Sequence, residues 1–261
     1  MNPRSLLLVY RKEITGYFSS FIAFAVIAIF LVITGYFFYN ILASFSMVSF
    51  QAQANPMIAK QYNLLNVNET VVRPLIGNIS VVMLLMTPLL TMRLLSEEKK
   101  SGTLELLLSY PVREVEVVMG KYLASLTVFA AMLVGTITYP LLLIYLGDPE
   151  IPPILTGYLG LFLLGAAFLA LGLFTSSLSE NQIVSASLAV GILFFFWLMS
   201  YSVMFVSPGF GRIISYVAIT EHLESLAKGV VDTEDIIYYL NFIFLFLFLT
   251  IRSMESSRWR G

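Results

Sequence analysis

Cysteine is absent from the 261 residues and histidine occurs once, so the chain has no disulfide and no thiolate or imidazole set for a tightly held transition metal. The 11 methionines include Met83 and Met86, which could offer thioethers to copper, but methionine scattered through apolar segments reads as packing. Charge is scarce: 12% of the residues are Asp, Glu, Lys or Arg, against about 25% in soluble domains. The net charge of −1 gives no reason to expect a nucleic-acid partner. No G-x-x-x-x-G-K-[ST] loop is present, and the only Gly-Lys pair, Gly120-Lys121, lacks its flanking residues. The chain therefore carries no nucleotide-hydrolysing loop of its own, and no H-E-x-x-H metalloprotease motif.

What is abundant is apolar sequence, at 58% of the residues. A bilayer core takes about 20 apolar residues per helix, and six runs meet or approach that length: 21–42, 75–95, 122–146, 153–177, 183–206 and the shorter 236–251. The expected fold is an all-α integral membrane protein with a single six-helix domain over 21–251. The run at 21–42 is longer than a signal-peptide core, so it reads as a retained span. None of the six apolar cores contains Asp, Glu, Lys or Arg. Ion-coupled carriers need charge at mid-membrane, so an external energy source is the better expectation.

Orientation follows the cations. Of the 15 Lys and Arg, 11 fall on the side holding both termini and the 96–120 segment, and the acidic residues divide evenly. Both termini, including the 252–261 tail, are expected in the cytoplasm of a prokaryote, the chain crossing its inner membrane. Residues 1–20 mix Leu6, Leu7, Val9, Tyr10, Ile14 and Tyr17 with Arg4, Arg11 and Lys12. That mixture fits an amphipathic interfacial helix with its cations toward lipid phosphate; a plain basic flank is the alternative. Residues 43–73 look polar with little periodicity before Ile58–Leu65. Between spans five and six, "GRIISYVAI" and "TEHLESLAKG" predict short external re-entrant or interfacial helices, the second ended by Gly229. Asp232 is placed to cap the last span.

The densest charge lies in "LLSEEKKSGTLELLLSYPVREVEVVMGKYL", residues 94–123. Some 25 residues join spans two and three, where about 2–8 would do. The spacing predicts a helix continuing through Glu98, a break at Ser101-Gly102, a short helix with Leu104, Leu107 and Leu108 on one face, a stop at Pro111, and then a helix entering span three. Such a knob suits a groove on a soluble partner; a helix lying flat on lipid is the alternative.

The stretch "MRLLSEEKKSGTLELLLSYPVREVEVVMGKYLASL" (92–126) resembles the motif of ABC-2 permeases, in particular those of the gliding-motility and nitrous-oxide-reductase-maturation subgroup. "EHLESLAKGVVDTEDIIYYL" (221–240) is similar to that family's external helix leading into its last span. The resemblance implies that two permease subunits, as a homodimer or related heterodimer, dock on two copies of an ABC ATPase subunit. ATP and Mg would be bound by the ATPase, and this chain would hold no cofactor. It implies a coupling helix around Gly102–Pro111, with Glu97, Glu98, Lys99, Gly102, Thr103, Glu105 and Pro111 as ATPase-coupling residues and Glu180 and Asn181 as a second cytoplasmic contact. It also implies a dimer seam on spans one and five, where Ser187 and Gly191 would permit close approach. Residue sizes alone favour span four instead, through Gly165, Ala166, Ala170 and Gly172.

Three functions follow as expectations. The first is a permease subunit of an ATP-driven exporter, not itself an enzyme, moving an unidentified and apolar substrate. The second is a mechanotransmission module driving an envelope or periplasmic accessory partner through the external loops. The third is a membrane enzyme using Glu221, His222 and Glu224, for which a solvated helix end is the plainer account.

Overall fold

The computed structural model describes residues 3–54, 66–103, 112–147, 149–202 and 207–258. Among them there is no strand, and six helices are long and apolar enough to cross a membrane. The protein is an all-α membrane protein with six spans.

Helix α1 (Pro3–Ser19) precedes α2 (Phe21–Ala54), the first span. A five-residue π-helical turn, Asn68–Val72, leads into α3 (Arg73–Thr91) and its continuation α4 (Arg93–Lys100). Next come α5 (Glu114–Thr136) and α6 (Thr138–Leu146), then α7 (Ile151–Leu178) and α8 (Gln182–Ser202). Two short helices, α9 (Pro208–Val217) and α10 (Glu221–Ala227), precede the last span, α11 (Thr233–Arg258).

Several boundaries differ from the sequence expectation. α2 runs 34 residues, about 51 Å at ~1.5 Å per residue, well beyond a hydrocarbon core of about 30 Å. Residues 43–54 were expected to be irregular. They contain no Gly or Pro, so nothing stops the helix when polar residues begin. α5 starts at Glu114, after the stop expected at Pro111, and carries the helix into the span expected from 122: the Arg113 amide donates to Glu116 Oε2 at 3.3 Å, and Glu114 and Glu116 suit the positive helix start. α5 and α6 are separated by Ile137. Pro140 has no amide to offer the carbonyl of Thr136, and that oxygen accepts the Tyr158 hydroxyl at 2.8 Å. α11 starts at Thr233, directly after Asp232 in the turn where its start is expected, and extends past 251 to Arg258.

α7 is the centre of the bundle. It packs on α3, α5, α8, α10 and α11. Close approach is built into its small residues: a Cβ on Gly172 would sit 2.1 Å from Thr91 Oγ1, so only glycine lets α3 come this near. Spans two and four are 67% buried within the chain, whereas spans one, five and six are 28%, 17% and 22% buried. The two sequence indications for span four and span five thus separate. The small residues of span four serve packing within the chain, while Ser187 and Gly191 of span five are exposed and a Cβ on Gly191 would meet nothing within 4 Å.

Candidate functional site

The helical path of span two runs 33 residues, Asn68–Lys100, more than the about 20 a bilayer core takes. α3 passes through a one-residue break at Met92 into α4, which carries Glu97, Glu98 and Lys99. α4 then stops in a left-handed turn: Ser101 N–H donates to Glu97 O at 3.0 Å, Gly102 N–H donates to Lys99 O at 3.1 Å, and Gly102 has φ 68°. Glycine takes that conformation without the penalty a Cβ would bring. The bend expected at Gly102 is therefore present. Thr103 Oγ1 lies 2.8 Å from Ser101 Oγ, closing the turn. Glu105, Leu104, Leu107, Leu108 and Pro111 lie outside the described residues.

Glu97 is exposed, as a partner contact requires, but Glu98 differs from expectation. Its Oε1 accepts Lys12 Nζ at 2.8 Å and Lys121 Nζ at 2.9 Å, and Lys121 also reaches Glu13 Oε1 at 2.7 Å. The Lys121 side chain is 1% exposed. Four charges from α1, α4 and α5 thus close on one another, because a buried ammonium must be surrounded by acceptors. Glu98 Oε2 is buried and has no hydrogen-bond partner. Of the two carboxylates expected to contact the ATPase, Glu98 thus has one oxygen already engaged inside the chain.

Lys12 shares this pairing. Its ammonium turns onto Glu98 rather than only toward lipid phosphate, while Arg4 and Arg11 remain exposed on α1. Burial works against the charge on Lys12, but the hydrogen bond and the charge of Glu98, with Glu13, outweigh it and raise the lysine above its ordinary value. α1 is also more deeply docked than a surface helix. Val9 and Tyr17 are buried, the Tyr17 hydroxyl donates to Leu90 O at 2.7 Å, and the Arg93 guanidinium lies 4.8 Å from the Tyr17 ring centre. Burial raises the Tyr17 phenol far above its usual range. A cavity of about 340 Å³ lies among these groups, bordered by Lys12, Glu13, Tyr17, Arg93, Glu97, Glu98, Ser101, Thr103 and Lys121.

Lys99 Nζ donates to Ser177 O at the end of α7, and the charge of Glu180 acts on Lys99. Those two expected contacts are therefore brought together. Asn181 serves the fold: its Oδ1 accepts Ile183 N–H at 2.9 Å at the start of α8.

The external residues form a separate cluster. His222 is buried; its Nδ1 lies 2.7 Å from Asp235 Oδ1 and its Nε2 lies 3.0 Å from the Tyr216 carbonyl. The carbonyl can only accept, so Nε2 carries a hydrogen. Ser225 donates to the other oxygen of Asp235, and Tyr238 stacks on the imidazole with ring centres 3.9 Å apart. Every polar atom of the ring is occupied, so the enzyme reading of Glu221, His222 and Glu224 loses its base. Glu224 pairs with Arg73 and, at 2.9 Å, with Lys228. Lys228, then burial, then Arg73 act on Glu224, and the net effect holds its carboxyl below the ordinary range. Burial, followed by Glu224, pushes Glu221 up. Asp232 is exposed, and its side chain caps nothing among the described residues. The useful carboxylate is Asp235, three residues on. Gly229 has φ 91°, matching its expected place after α10. No group of three or more metal-ligating carboxylates and histidines occurs among the described residues.

A second cavity, about 410 Å³, lies between α2 and the start of span two. Phe37, Asn40, Ile41, Ser44, Phe45, Val48, Thr70 and Asn78 line it, apolar and uncharged polar side chains without a formal charge.

Sequence reasoning missed Lys121, Glu13, Ser176 and Asp235. A lysine at the entry to an apolar span, as in "MGKYLASL", was the available signal for Lys121, because such a charge needs a partner.

The profile of the family described as ABC-2 family transporter protein matches residues 38–252. A probable ABC transporter permease protein NosY of Pseudomonas aeruginosa is 36% identical over 108 residues, which cover 39% of each chain. The match to that relative thus spans about two-fifths of its length. The family match covers four of the six spans whole, most of the sixth, the second half of α2 and the charged turn after span two: the chain belongs to the ABC-2 family of transporter proteins.

Proposed function

We propose that this chain is the permease subunit of an ABC exporter, coupling ATP hydrolysis in a separate ATPase subunit to movement of a substrate across the inner membrane. The carrying observation is the direct route from span two, across the break at Met92, through α4 to Gly102, with Glu98 of α4 joined to Lys12 of α1 and Lys121 of α5. A push on the segment after Gly102 would reach α4 directly. Through the four charges it would move α1 and the start of α5 as well. Exposed Glu97 offers the partner a charge-assisted contact, worth about 1.5–3 kcal/mol when shielded. The exposed faces of spans one and five suit a second permease subunit. The charge-free cavity beside α2 suits an apolar cargo with uncharged polar groups. The test is co-expression with an ABC ATPase of the same genome. Joint purification and ATP turnover absent from the isolated chain are expected, and turnover by the isolated chain would end this reading.

A second reading is transmission of force to an envelope partner without transport. It is favoured by the external end of α2, which continues past the bilayer, and by α10, which is tied to α3 through Glu224–Arg73 and to α11 through His222–Asp235. ATP-dependent binding of an envelope protein, with no substrate accumulated in sealed vesicles, distinguishes it from export.

A further inference from the structure

We propose that Ser176 is the pivot on which α4 turns against the core of the bundle, making it the positioning residue of the coupling movement. The inference rests on the permease reading. Ser176 is fully buried near the cytoplasmic end of α7. Its Oγ donates to Met92 O at 3.0 Å and accepts from Leu95 N–H at 3.0 Å and Ser96 N–H at 3.1 Å. One hydroxyl has one donor and two acceptor positions, and all are filled. In an uninterrupted helix the Ser96 amide pairs with the Met92 carbonyl. Here both reach the same oxygen of another helix, at the residue where the α3–α4 ladder breaks. A side chain inserted into a helix ladder is one of the few recognised causes of a bend.

The surroundings fit a pivot rather than an incidental bond. Upstream, Pro88 lacks an amide, and Thr87 and Thr91 bond back to Met83 O at 2.9 Å and Thr87 O at 3.1 Å, with Ser96 returning to Met92 O. Such back-bonding weakens and bends a helix. One turn before Ser176, Gly172 receives Thr91 at a distance that excludes a side chain. Gly172 and Ser176 therefore form a seat on the most enclosed span, and α4 leaves that seat carrying Glu98 and Gly102. As α4 turns, the half-buried Met92 carbonyl and the two buried amides need partners that move little. The Ser176 hydroxyl supplies them through rotation about a single bond.

The absence of cysteine allows clean spin labelling at Lys100 on α4 and Leu178 on α7, with Val81 and Leu155 as a control pair. The permease with its ATPase, in lipid nanodiscs, is measured without nucleotide and trapped with ATP and vanadate. The expected result is a nucleotide-dependent change in the Lys100–Leu178 distance and none in the control pair. In Ser176→Ala the change should be lost while ATPase binding persists, and Ser176→Cys, which keeps a weak donor and acceptor, should restore part of it. A full change in Ser176→Ala, or no change in the parent complex, overturns the pivot. Hydrogen exchange on the permease alone tests the capping independently of any ATPase. The Leu95 and Ser96 amides should exchange at least tenfold faster in Ser176→Ala, and in Ser176→Cys to a smaller degree; unchanged exchange overturns the proposal. If no ATPase binds the parent chain, the permease reading fails and the exchange result stands by itself.

Discussion

Lys121 of α5 and Glu98 of α4 meet at 2.9 Å at one end of the bundle, and the lysine also holds Glu13 of α1 at 2.7 Å. Such a pair adds little compared with apolar packing, but removing one partner strands the others. Lys121→Ala should therefore leave two carboxylates facing each other and cost about 3–5 kcal/mol. A lowered unfolding temperature in detergent is the readout. Lys121→Met combined with Glu98→Gln and Glu13→Gln should recover most of the loss. Equal instability in the single and triple variants would mean that shape, not charge, sets the role of Lys121.

Asp235 satisfies both His222 and Ser225, so it links α10 to the last span. Asp235→Ala should leave the imidazole and the hydroxyl without a partner in a closed site, at about 1–3 kcal/mol per stranded group. Hydrogen exchange should rise in α10 and the first turn of α11 and stay unchanged in α4. Loosening confined to the cytoplasmic face would contradict the link.

Acid acts on α10 through two carboxyls of opposite sign. Glu224 is held below the usual 4.5, chiefly by Lys228. Its stabilising contribution is complete above the unfolded value and is lost as pH falls through the lower folded one. Glu221 is pushed up by burial and by Glu224, so its ionised form is a cost at neutral pH, relieved as pH falls toward and through its raised folded value. Glu224→Gln should thus weaken the protein at pH 7 by no more than about 1 kcal/mol, since its side chain is 47% exposed. The difference should vanish well below pH 4.5. Glu221→Gln should do the reverse, stabilising at pH 7. Unfolding measured at both pH values for both variants decides; matching signs would refute the opposition.

The six spans were legible because apolar runs of bilayer length have one stable outcome in lipid. The bend at Gly102 was legible too, since a Ser-Gly pair after a charged helix is a local signal. What could not be read was pairing at a distance. Glu98 looked like a free carboxylate because its partners, Lys12 and Lys121, lie 86 and 23 positions away. Ser176 is one of three consecutive Thr and Ser residues, and only the fold shows that its oxygen enters another helix. Asp232 was preferred to Asp235 as the working carboxylate because capping is a local rule, whereas the pairing of Asp235 with His222 depends on how α10 folds back.

The arrangement of charge predicts which side faces which compartment. The Lys12–Glu98–Lys121–Glu13 cluster and the Arg73–Glu224–Lys228 cluster sit at opposite ends of the bundle, and cation-rich segments stay in the cytoplasm. Ser101 and Asp232 are both exposed, one beside each cluster. A cysteine replacing Asp232 should react with a membrane-impermeant thiol reagent in intact cells. A cysteine replacing Ser101 should react only after the membrane is opened. Reaction of the Ser101 variant from outside would invert the orientation. It would place α4 and its bend away from any cytoplasmic ATPase, and the coupling role of Glu97, Gly102 and Ser176 would fall together.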